Sequence, residues 1–295
     1  MDWIQRFRNA LDYIETNIET VLETDVIASK ANTSSFHFQR MFSILSGITL
    51  GEYIRRRRLT LAAQELASTD ARILDVAVRF GYESQASFTK AFTRLHGFPP
   101  GAVRGNEMKI KAYPRLSLKF IIEGDESMEY SVKTIGPIRL VGKAVTVSSR
   151  NGENFKRVPE FWEEVMKDGS FEKITGCYDG TGVLDEGTIG ACLDFSSDQE
   201  EFTYMAAVES GLEELPEGIE ERLIPSLDWA VFETQGTLPG AIQNMVKKIY
   251  NEWFPATGFE HTGGPELEIY LPPDEPGAPC TRFRIMIPVR KKETN

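Results

Sequence analysis

The fold is decided by the stretch from Asp75 to Gly101, which reads DVAVRFGYESQASFTKAFTRLHGFPPG. Gly81 follows a short apolar run and can adopt the left-handed conformation that ends a helix. Ser84 is a good N-cap for a second helix. The apolar residues of that second helix recur at helical spacing, at Phe88, Ala91, Phe92 and Leu95. A helix, a tight glycine-containing turn and a second helix form a helix-turn-helix motif.

The same pattern occurs fifty positions earlier, from Asp25 to Gly51, in the stretch DVIASKANTSSFHFQRMFSILSGITLG. The two copies align without a gap, so that Ser34 takes the place of Ser84 and Phe42 that of Phe92. Two copies of so short a repeat cannot build a solenoid. The sequence therefore predicts a tandem pair of small helical motifs.

The outward face of each second helix holds side chains suited to reading DNA bases. In a helix-turn-helix motif this helix enters the major groove. The residues opposite the apolar stripe are Ser35, Phe36, Gln39 and Arg40 in the first copy and Gln85, Ala86, Thr89 and Lys90 in the second. Arginine and lysine can pair with guanine, glutamine with adenine, and alanine or phenylalanine can pack on a thymine methyl group. Such a contact would explain an exposed Phe36, whereas the alternative is an ordinary solvated face.

A long amphipathic helix is predicted from Leu50 to Ser68, between the two motifs. It would hold the two recognition helices at a fixed separation, suited to successive major grooves. This helix contains the run Arg55-Arg56-Arg57-Arg58. Because four consecutive residues surround a helix, at least one arginine must turn toward the protein. We expect Arg55 and Arg56 to contact phosphates.

Residues 1–107 resemble the DNA-binding domain of AraC/XylS-type transcription regulators. The resemblance is carried by Phe38-Gln39-Arg40-Met41-Phe42, by the segment from Gly51 to Leu59, and by Gly81 to Gln85 with the apolar residues that follow. It implies promoter binding by two helix-turn-helix motifs. The base contacts that it implies come from Phe36, Gln39, Arg40, Gln85, Thr89 and Lys90.

Charge divides the 295-residue chain into two parts. Residues 1–107 hold 13 basic and 12 acidic residues, whereas residues 108–295 hold 20 basic and 32 acidic ones. We therefore expect two domains with these bounds. DNA would repel the second domain, so a cationic ligand or a protein partner suits it better. Solubility alone is the alternative explanation for its acidity.

The hydrophobic period changes from 3.6 to 2 after residue 108. Strands are predicted at 115–122, 130–135, 139–147, 174–178, 188–195, 202–208, 220–224, 229–234, 266–271 and 282–289, and helices at 155–167 and 241–253. The order strand, strand, helix, strand, strand occurs twice. The predicted fold class is therefore multidomain, with an all-α tandem helix-turn-helix domain and a duplicated α+β effector-binding domain. A groove between two such halves is a usual place for a small ligand.

The second domain, residues 108–295, resembles the GyrI-like effector-binding domain of Rob-like and multidrug-responsive regulators. The resemblance rests on Met128-Glu129-Tyr130, Gly142-Lys143, Phe161-Trp162, Gly176-Cys177-Tyr178 and the run from Pro265 to Tyr270. It implies that the carboxylate of Glu268 lies in an aromatic-lined cleft and receives cationic, lipophilic compounds.

The residues themselves leave two interpretations of Glu268 open. Strand alternation places Glu266, Glu268 and Tyr270 on one face. If Arg282 and Arg284 lie opposite, cross-strand ion pairs account for the acidic residues. Alternatively, Glu268 stays charged in an aromatic groove, where a ligand cation offsets the cost of its burial. That groove would be lined by Trp162, Tyr178, Tyr204 and Tyr270, with Glu266 as a further candidate residue of the effector site.

The sequence holds no sign of a metal site or a cofactor. Cys177, Cys192 and Cys280 are odd in number and widely spaced, and the three histidines lack a ligand partner at metal spacing. No stretch resembles a signal peptide or a membrane span, so a cytoplasmic protein is expected. We expect Trp229 and Trp253 in the core.

The prediction for the whole chain is a ligand-responsive transcription regulator that is not an enzyme. Its expected partners are double-stranded promoter DNA and a small-molecule effector, with RNA polymerase as a further candidate and no membrane. Two alternatives stay open for the second domain. It could be a hydrolase of electrophilic compounds, since an acidic residue near a tyrosine can activate water, or a protein-interaction module.

Overall fold

The computed structural model describes residues 3–104, 109–117, 128–149, 152–184, 187–196, 201–237, 240–272 and 281–292. The chain divides into two compact units, Met1–Lys119 and Phe120–Asn295. The first unit is built from helices, and the second from an antiparallel sheet with helices. The predicted fold class, an all-α domain joined to an α+β domain, is confirmed.

The helices of the first unit are, in chain order, α1 (Trp3–Thr16), α2 (Thr24–Lys30), α3 (Ser35–Ser46), α4 (Leu50–Ser68), α5 (Ile73–Arg79) and α6 (Gln85–His96), followed by a 3-10 turn at Pro100–Arg104. Helices α2 and α3 form the first helix-turn-helix motif, and α5 and α6 form the second. Helix α4 joins the motifs and has the bounds that the sequence predicts.

Local signals at both ends determine the two second helices. The hydroxyl groups of Ser34 and Ser84 each accept a hydrogen bond from a backbone N–H in the first turn. Both helices end at a glycine in the left-handed conformation, with φ of 73° at Gly47 and 90° at Gly97. Because cap and stop signals recur at the same spacing, α3 and α6 have the same length of 12 residues.

The turns of the two motifs differ by one residue. In the second motif Gly81 takes the left-handed conformation, with φ of 81°. A β-carbon at Gly81 would also lie 2.7 Å from the Nη1 atom of Arg58. In the first motif Asn32 takes this conformation, with φ of 52°, rather than the aligned Ala31. Asparagine tolerates the left-handed region better than alanine, and this difference accounts for the shift.

Each motif packs its apolar stripe into a core. In the first, the ring of Phe7 on α1 meets those of Phe38 and Phe42, at centroid distances of 5.4 and 6.1 Å. In the second, α4, α5 and α6 and the 3-10 turn share a cluster formed by Leu59, Ala62, Ala63, Leu66, Val76, Ala77, Phe80, Phe88, Phe92 and Val103. The stripes predicted from helical spacing therefore face the interior.

The first unit extends further along the chain than the expected boundary at residue 107. The backbone N–H of Tyr113 donates to the Thr60 hydroxyl at 3.1 Å, and that of Leu116 donates to the Tyr53 hydroxyl at 3.2 Å. These bonds fasten the segment 109–117 to helix α4. This segment therefore belongs to the first unit, because pairing with α4 and not strand alternation determines where it lies.

The strands of the second unit are β1 (Tyr130–Ile135), β2 (Ile138–Ser148), β3 (Thr188–Ser196), β4 (Glu201–Glu209), β5 (Glu220–Ile224), β6 (Leu227–Gly236), β7 (Phe259–His261), β8 (Glu266–Tyr270) and β9 (Thr281–Lys291). Its helices are α7 (Asn154–Lys167), α8 (Ser170–Thr175), α9 (Gly240–Lys248), a π-helical turn at Ile249–Trp253 that continues α9, and α10 (Phe254–Ala256).

The strand order shows the expected duplication. It runs β1-β6-β9-β8-β3-β4-β2-β5, with β7 added on β9, and the pairings are antiparallel. Exchanging β1 with β5, β2 with β6, β3 with β8 and β4 with β9 gives the same order read backwards. The connectivity of the two halves is thus symmetric about the β3–β8 pair.

The two faces of this sheet have different coverings. One face forms a core shared by both halves, to which Ile138, Leu140, Ile189, Ala191, Leu193, Met205, Ala207, Ile224, Trp229, Val231, Leu267, Ile269 and Met286 contribute. On the other face Phe161 of α7 packs on Tyr204 of β4, and Trp253 packs on Phe232 of β6. The expectation that Trp229 and Trp253 lie in the core is confirmed, since they are 0% and 4% exposed.

Some predicted elements differ from those observed. The strand expected from Ile174 to Tyr178 begins inside helix α8, because a run of five residues is too short for its period to separate strand from helix. The strand expected at 115–122 is absent over 115–117, and 118–122 lies outside the described residues. Strand β7 was not predicted, since three residues carry no readable period. Among the described residues, no helix combines the length and apolar character that crossing a membrane requires.

Candidate DNA-contacting helices and ligand site

The second recognition helix, α6, presents a polar face to solvent. An open surface depression is lined by Gln85, Ala86, Thr89, Lys90, Thr93 and Arg94. All four residues that the sequence predicts for this helix therefore lie on one surface. Arg94 was not among them, although its spacing of four from Lys90 places both cations on the same face of a helix.

The corresponding residues of α3 are less exposed than those of α6, and their contact with DNA stays a prediction. Ser35 and Phe36 are 1% and 2% exposed, and Gln39 is 9% exposed. The Ser35 hydroxyl donates a hydrogen bond to the Asp25 carboxylate on α2, which holds this side chain inward. Arg40 is half-buried.

Two of the four consecutive arginines face the protein, as helical geometry predicts. Arg57 forms an ion pair with Glu15 at 2.7 Å, with side chains that are 12% and 11% exposed. Arg58 donates hydrogen bonds to the carbonyl groups of Ile18 and Thr20, just after α1. These two arginines hold α1 against α4, so they belong to the frame of the unit.

The other two arginines lie nearer the surface. Arg55 and Arg56 both form ion pairs with Glu52 on their own helix, and their side chains are 52% and 30% exposed. The guanidinium of Arg56 also lies over the ring of Tyr113, 4.9 Å from its centroid. Arg55 is therefore the more accessible of the two residues expected to contact phosphates.

The second unit carries a hydrogen-bonded cluster of acidic and aromatic side chains at the centre of its sheet. Glu268 on β8 is half-buried and accepts a hydrogen bond from the Tyr270 hydroxyl at 3.0 Å. The indole Nε1 of Trp162, on α7, donates to the Tyr204 hydroxyl at 2.8 Å. The rings of Trp162 and Tyr270 meet edge to face, with centroids 5.7 Å apart. The structure thus brings together four of the six residues expected at the effector site.

The electrostatics of this cluster keep its phenol groups neutral. Burial raises the pKa of Tyr204 and of Tyr270 well above the ordinary value for tyrosine, and the nearby charge of Glu268 raises both further. Both hydroxyl groups therefore retain their protons at physiological pH. They supply neutral hydrogen-bond donors beside the Glu268 carboxylate.

The cross-strand interpretation of Glu268 is wrong. The register of β8 and β9 places Glu268 opposite Ile285, whereas Arg284 lies opposite Ile269, on the other face of the sheet. Arg284 forms an ion pair with Glu233 of β6 at 2.9 Å. Because side chains alternate along a strand, a register that differs by one residue separates the two charges.

The remaining two expected site residues have different surroundings. Glu266 is 5% exposed and lies 3.3 Å from Nε2 of His261, at the end of β7. It pairs across the sheet with Cys192 of β3. Tyr178 is half-buried in the segment after α8, where its backbone N–H donates to the carbonyl of Thr175. A ligand contact from either residue stays a prediction.

One member of the cluster is not identified by the sequence analysis. Gly190 of β3 lies directly opposite Glu268 in the strand register. The available signal is the presence of a glycine inside a strand, which often marks the close approach of another group.

The fold and the cluster together define a class. Two helix-turn-helix motifs joined to a separate domain with a polar, aromatic-lined cluster make a DNA-binding transcription regulator with a small-molecule-binding domain. The chain belongs to the AraC-type regulators that carry a GyrI-like domain. The family described as "GyrI-like small molecule binding domain" matches residues 128–290, and that described as "Helix-turn-helix domain" matches residues 27–106.

Individual relatives agree with this assignment for the first unit. Regulatory protein SoxS of Salmonella typhimurium is 43% identical over 100 residues, which cover 34% of this chain and 94% of SoxS. Multiple antibiotic resistance protein MarA of Escherichia coli K12 is 38% identical over 99 residues, which cover 34% of this chain and 78% of MarA.

A solved structure of SAV2435 bound to tetraphenylphosphonium is 21% identical and covers 55% of this chain and 94% of its own, with a TM-score of 0.48. With a TM-score below 0.5, this similarity does not contribute to the assignment.

The Arg57–Glu15 pair leads to a prediction for stability. Burial disfavours the charged Glu15, but hydrogen bonds from Arg57 and Tyr53 outweigh it and lower the pKa of this carboxyl. We expect Arg57→Ala to reduce the free energy of unfolding by about 2 kcal/mol or more, because the carboxylate then stays buried without its cation. The measurement is urea unfolding of the full chain, followed by helical circular dichroism. The control is Arg55→Ala, whose exposed pair should contribute about 0.5 kcal/mol. Equal losses in the two variants would contradict this expectation.

Proposed function

We propose that the chain regulates transcription in response to a small lipophilic cation that binds at Glu268. The observation that carries this proposal is the half-buried carboxylate of Glu268, held by the Tyr270 hydroxyl beside the rings of Trp162 and Tyr204. These side chains come from β8, α7 and β4, so elements of both halves contribute to the cluster.

The chemistry of the cluster favours a cation over other ligands. A carboxylate that loses water needs a compensating charge or further hydrogen bonds. A cation supplies that charge, and the faces of tryptophan and tyrosine add an attraction of about 0.5–2 kcal/mol each. An anion would be repelled by Glu268 and by the acidic excess of the second part of the chain, which holds 32 acidic and 20 basic residues from 108 to 295.

Binding of tetraphenylphosphonium, a lipophilic cation, tests this proposal. Isothermal titration of the full chain should detect its binding, and tetraphenylborate, an anion of the same shape, should not bind. Glu268→Gln should weaken binding by about 2 kcal/mol or more, because the cation loses its desolvated partner. The matched control is Glu214→Gln, which removes an exposed carboxylate of the same unit and should leave affinity unchanged.

Three results would count against the cation site. These are equal binding of the two ions, equal affinity of the two glutamine variants, and no binding of either ion. In the last case a dominant partner captured by the second unit would favour the protein-interaction alternative.

We also propose that α6 supplies base contacts through Gln85, Thr89 and Lys90, with Ala86 packing on a thymine methyl group. The exposure of Lys90 and of its neighbours supports this assignment. Ser35, Phe36, Gln39 and Arg40 of α3, and the phosphate contacts of Arg55 and Arg56, remain predictions. So does a contact with RNA polymerase.

The base-reading role of Lys90 can be measured on DNA that the full chain selects from a random oligonucleotide pool. Lys90→Ala should weaken binding to the selected site by about 1–3 kcal/mol and relax preference at one position. The control is Arg72→Ala, which removes the same charge from a side chain that is 83% exposed at the start of α5. An equal loss on selected and scrambled DNA would identify Lys90 as a phosphate contact instead.

Regulation requires that ligand and DNA binding be coupled. A ligand shifts an equilibrium only by its difference in affinity for the two states. We therefore expect saturating tetraphenylphosphonium to change the dissociation constant for the selected DNA, and Glu268→Gln to remove that change. Identical DNA affinity with and without bound cation in the wild-type chain would refute the coupling and leave two independent binding domains.

A further inference from the structure

We propose that Gly190 is a positioning residue of the ligand site, which lets the Tyr204 hydroxyl lie over strand β3 beside Glu268. The inference rests on the proposed function, because it assigns a further determinant of the same site. It goes beyond the carboxylate and the aromatic rings, since Gly190 contributes space and not a side-chain contact.

The strand register brings the relevant groups to one place. Gly190 pairs with Glu268 on one side and with Ala206 of β4 on the other. Tyr204 pairs with Cys192, two residues along β3. Its hydroxyl reaches diagonally back over the backbone of Gly190, where it accepts the hydrogen bond from the Trp162 indole.

A side chain at position 190 would occupy the space that Tyr204 now fills. A β-carbon built on Gly190 would overlap the hydroxyl oxygen of Tyr204 and lie 3.3 Å from its Cζ atom. It would lie 3.5 Å from Cε2 of Tyr270, which is an ordinary contact distance. The steric conflict is therefore most severe at the Tyr204 hydroxyl oxygen, with a tight second contact at Cζ.

Tyr204 has little freedom to move away from an added methyl group. Its side chain is 3% exposed, its ring meets that of Phe161 at a centroid distance of 6.2 Å, and Trp162 holds its hydroxyl. An added methyl group would therefore displace the hydroxyl and break the bond to Trp162. Because Trp162 and Tyr270 pack edge to face, their aromatic surface around Glu268 would change as well.

Apart from the space that it leaves for Tyr204, a glycine at position 190 brings no benefit to the fold. A glycine inside a strand lowers stability, because it packs no side chain and loses more backbone entropy on folding. The φ angle of Gly190 is not positive, so its backbone is not in the left-handed conformation that favours glycine. An alanine would therefore suit the backbone, and close approach of the Tyr204 hydroxyl is the reason that remains.

The test measures tetraphenylphosphonium affinity in the full-length Gly190→Ala chain by titration calorimetry, well below the unfolding temperature. We expect the dissociation constant to rise about tenfold or more, as a displaced hydrogen-bonding group in a desolvated site would cause. The control is Gly258→Ala in the same unit, where a β-carbon meets open space. That variant should bind like the wild type.

A double-mutant cycle with Tyr204→Phe separates positioning from general damage. Removing the hydroxyl leaves Cζ as the nearest atom of this ring to an alanine at 190, at 3.3 Å. Gly190→Ala should therefore cause little further loss of affinity in the Tyr204→Phe background. The same cycle measured by urea unfolding should show that Tyr204→Phe relieves the destabilisation caused by Gly190→Ala.

Each outcome decides the proposal. Unchanged affinity in Gly190→Ala, or an equal fold-change in both backgrounds, would overturn it. A loss of affinity that disappears in the Tyr204→Phe background would support it. If the wild-type chain binds no tetraphenylphosphonium, the proposed function fails, and the coupling in unfolding still decides whether Gly190 places the Tyr204 hydroxyl.

Discussion

The pairing of β3 with β8 is the contact on which the second unit depends, because the two halves of its sheet meet there. The register sets Gly190 against Glu268 and, one position along, Ile189 against Ile269. A shift by one residue would turn Glu268 into the shared apolar core and Ile269 toward the helices. A carboxylate in that core would lose its contact with water. A single register therefore determines both the hydrophobic core and the candidate ligand site.

In the first unit, burial separates charges that build the frame from charges available to DNA. Arg57 is buried against Glu15, where its ion pair joins α1 to α4. Lys90 and Arg94 project from α6 into solvent, where a phosphate or a base edge can reach them. Arg57, Lys90 and Arg94 each carry one positive charge, so composition cannot distinguish their roles. Their roles are distinguished by the direction in which each side chain leaves its helix.

Features that depend on local interactions could be predicted from the sequence, whereas features that depend on contacts between distant residues could not. The helix-turn-helix motifs were predicted correctly because caps and glycine stops act within one turn of their own helix. The strand expected from Ile174 was wrong because a five-residue run fits either period. The packing of the segment 109–117 on the first unit was not predicted, because its hydrogen bonds to α4 have no local signal.

The sequence by itself determined the two helix-turn-helix motifs, the duplicated strand order and the acidic character of the second domain. Those properties depend on local backbone preferences, on repetition and on composition. Only the tertiary structure decided that Arg284 lies away from Glu268, that Trp162 reaches Tyr204, and that Gly190 provides their space. Strand register and helix packing join residues that are far apart in the chain, so the partner of a side chain depends on how the whole domain closes and not on its neighbours in sequence.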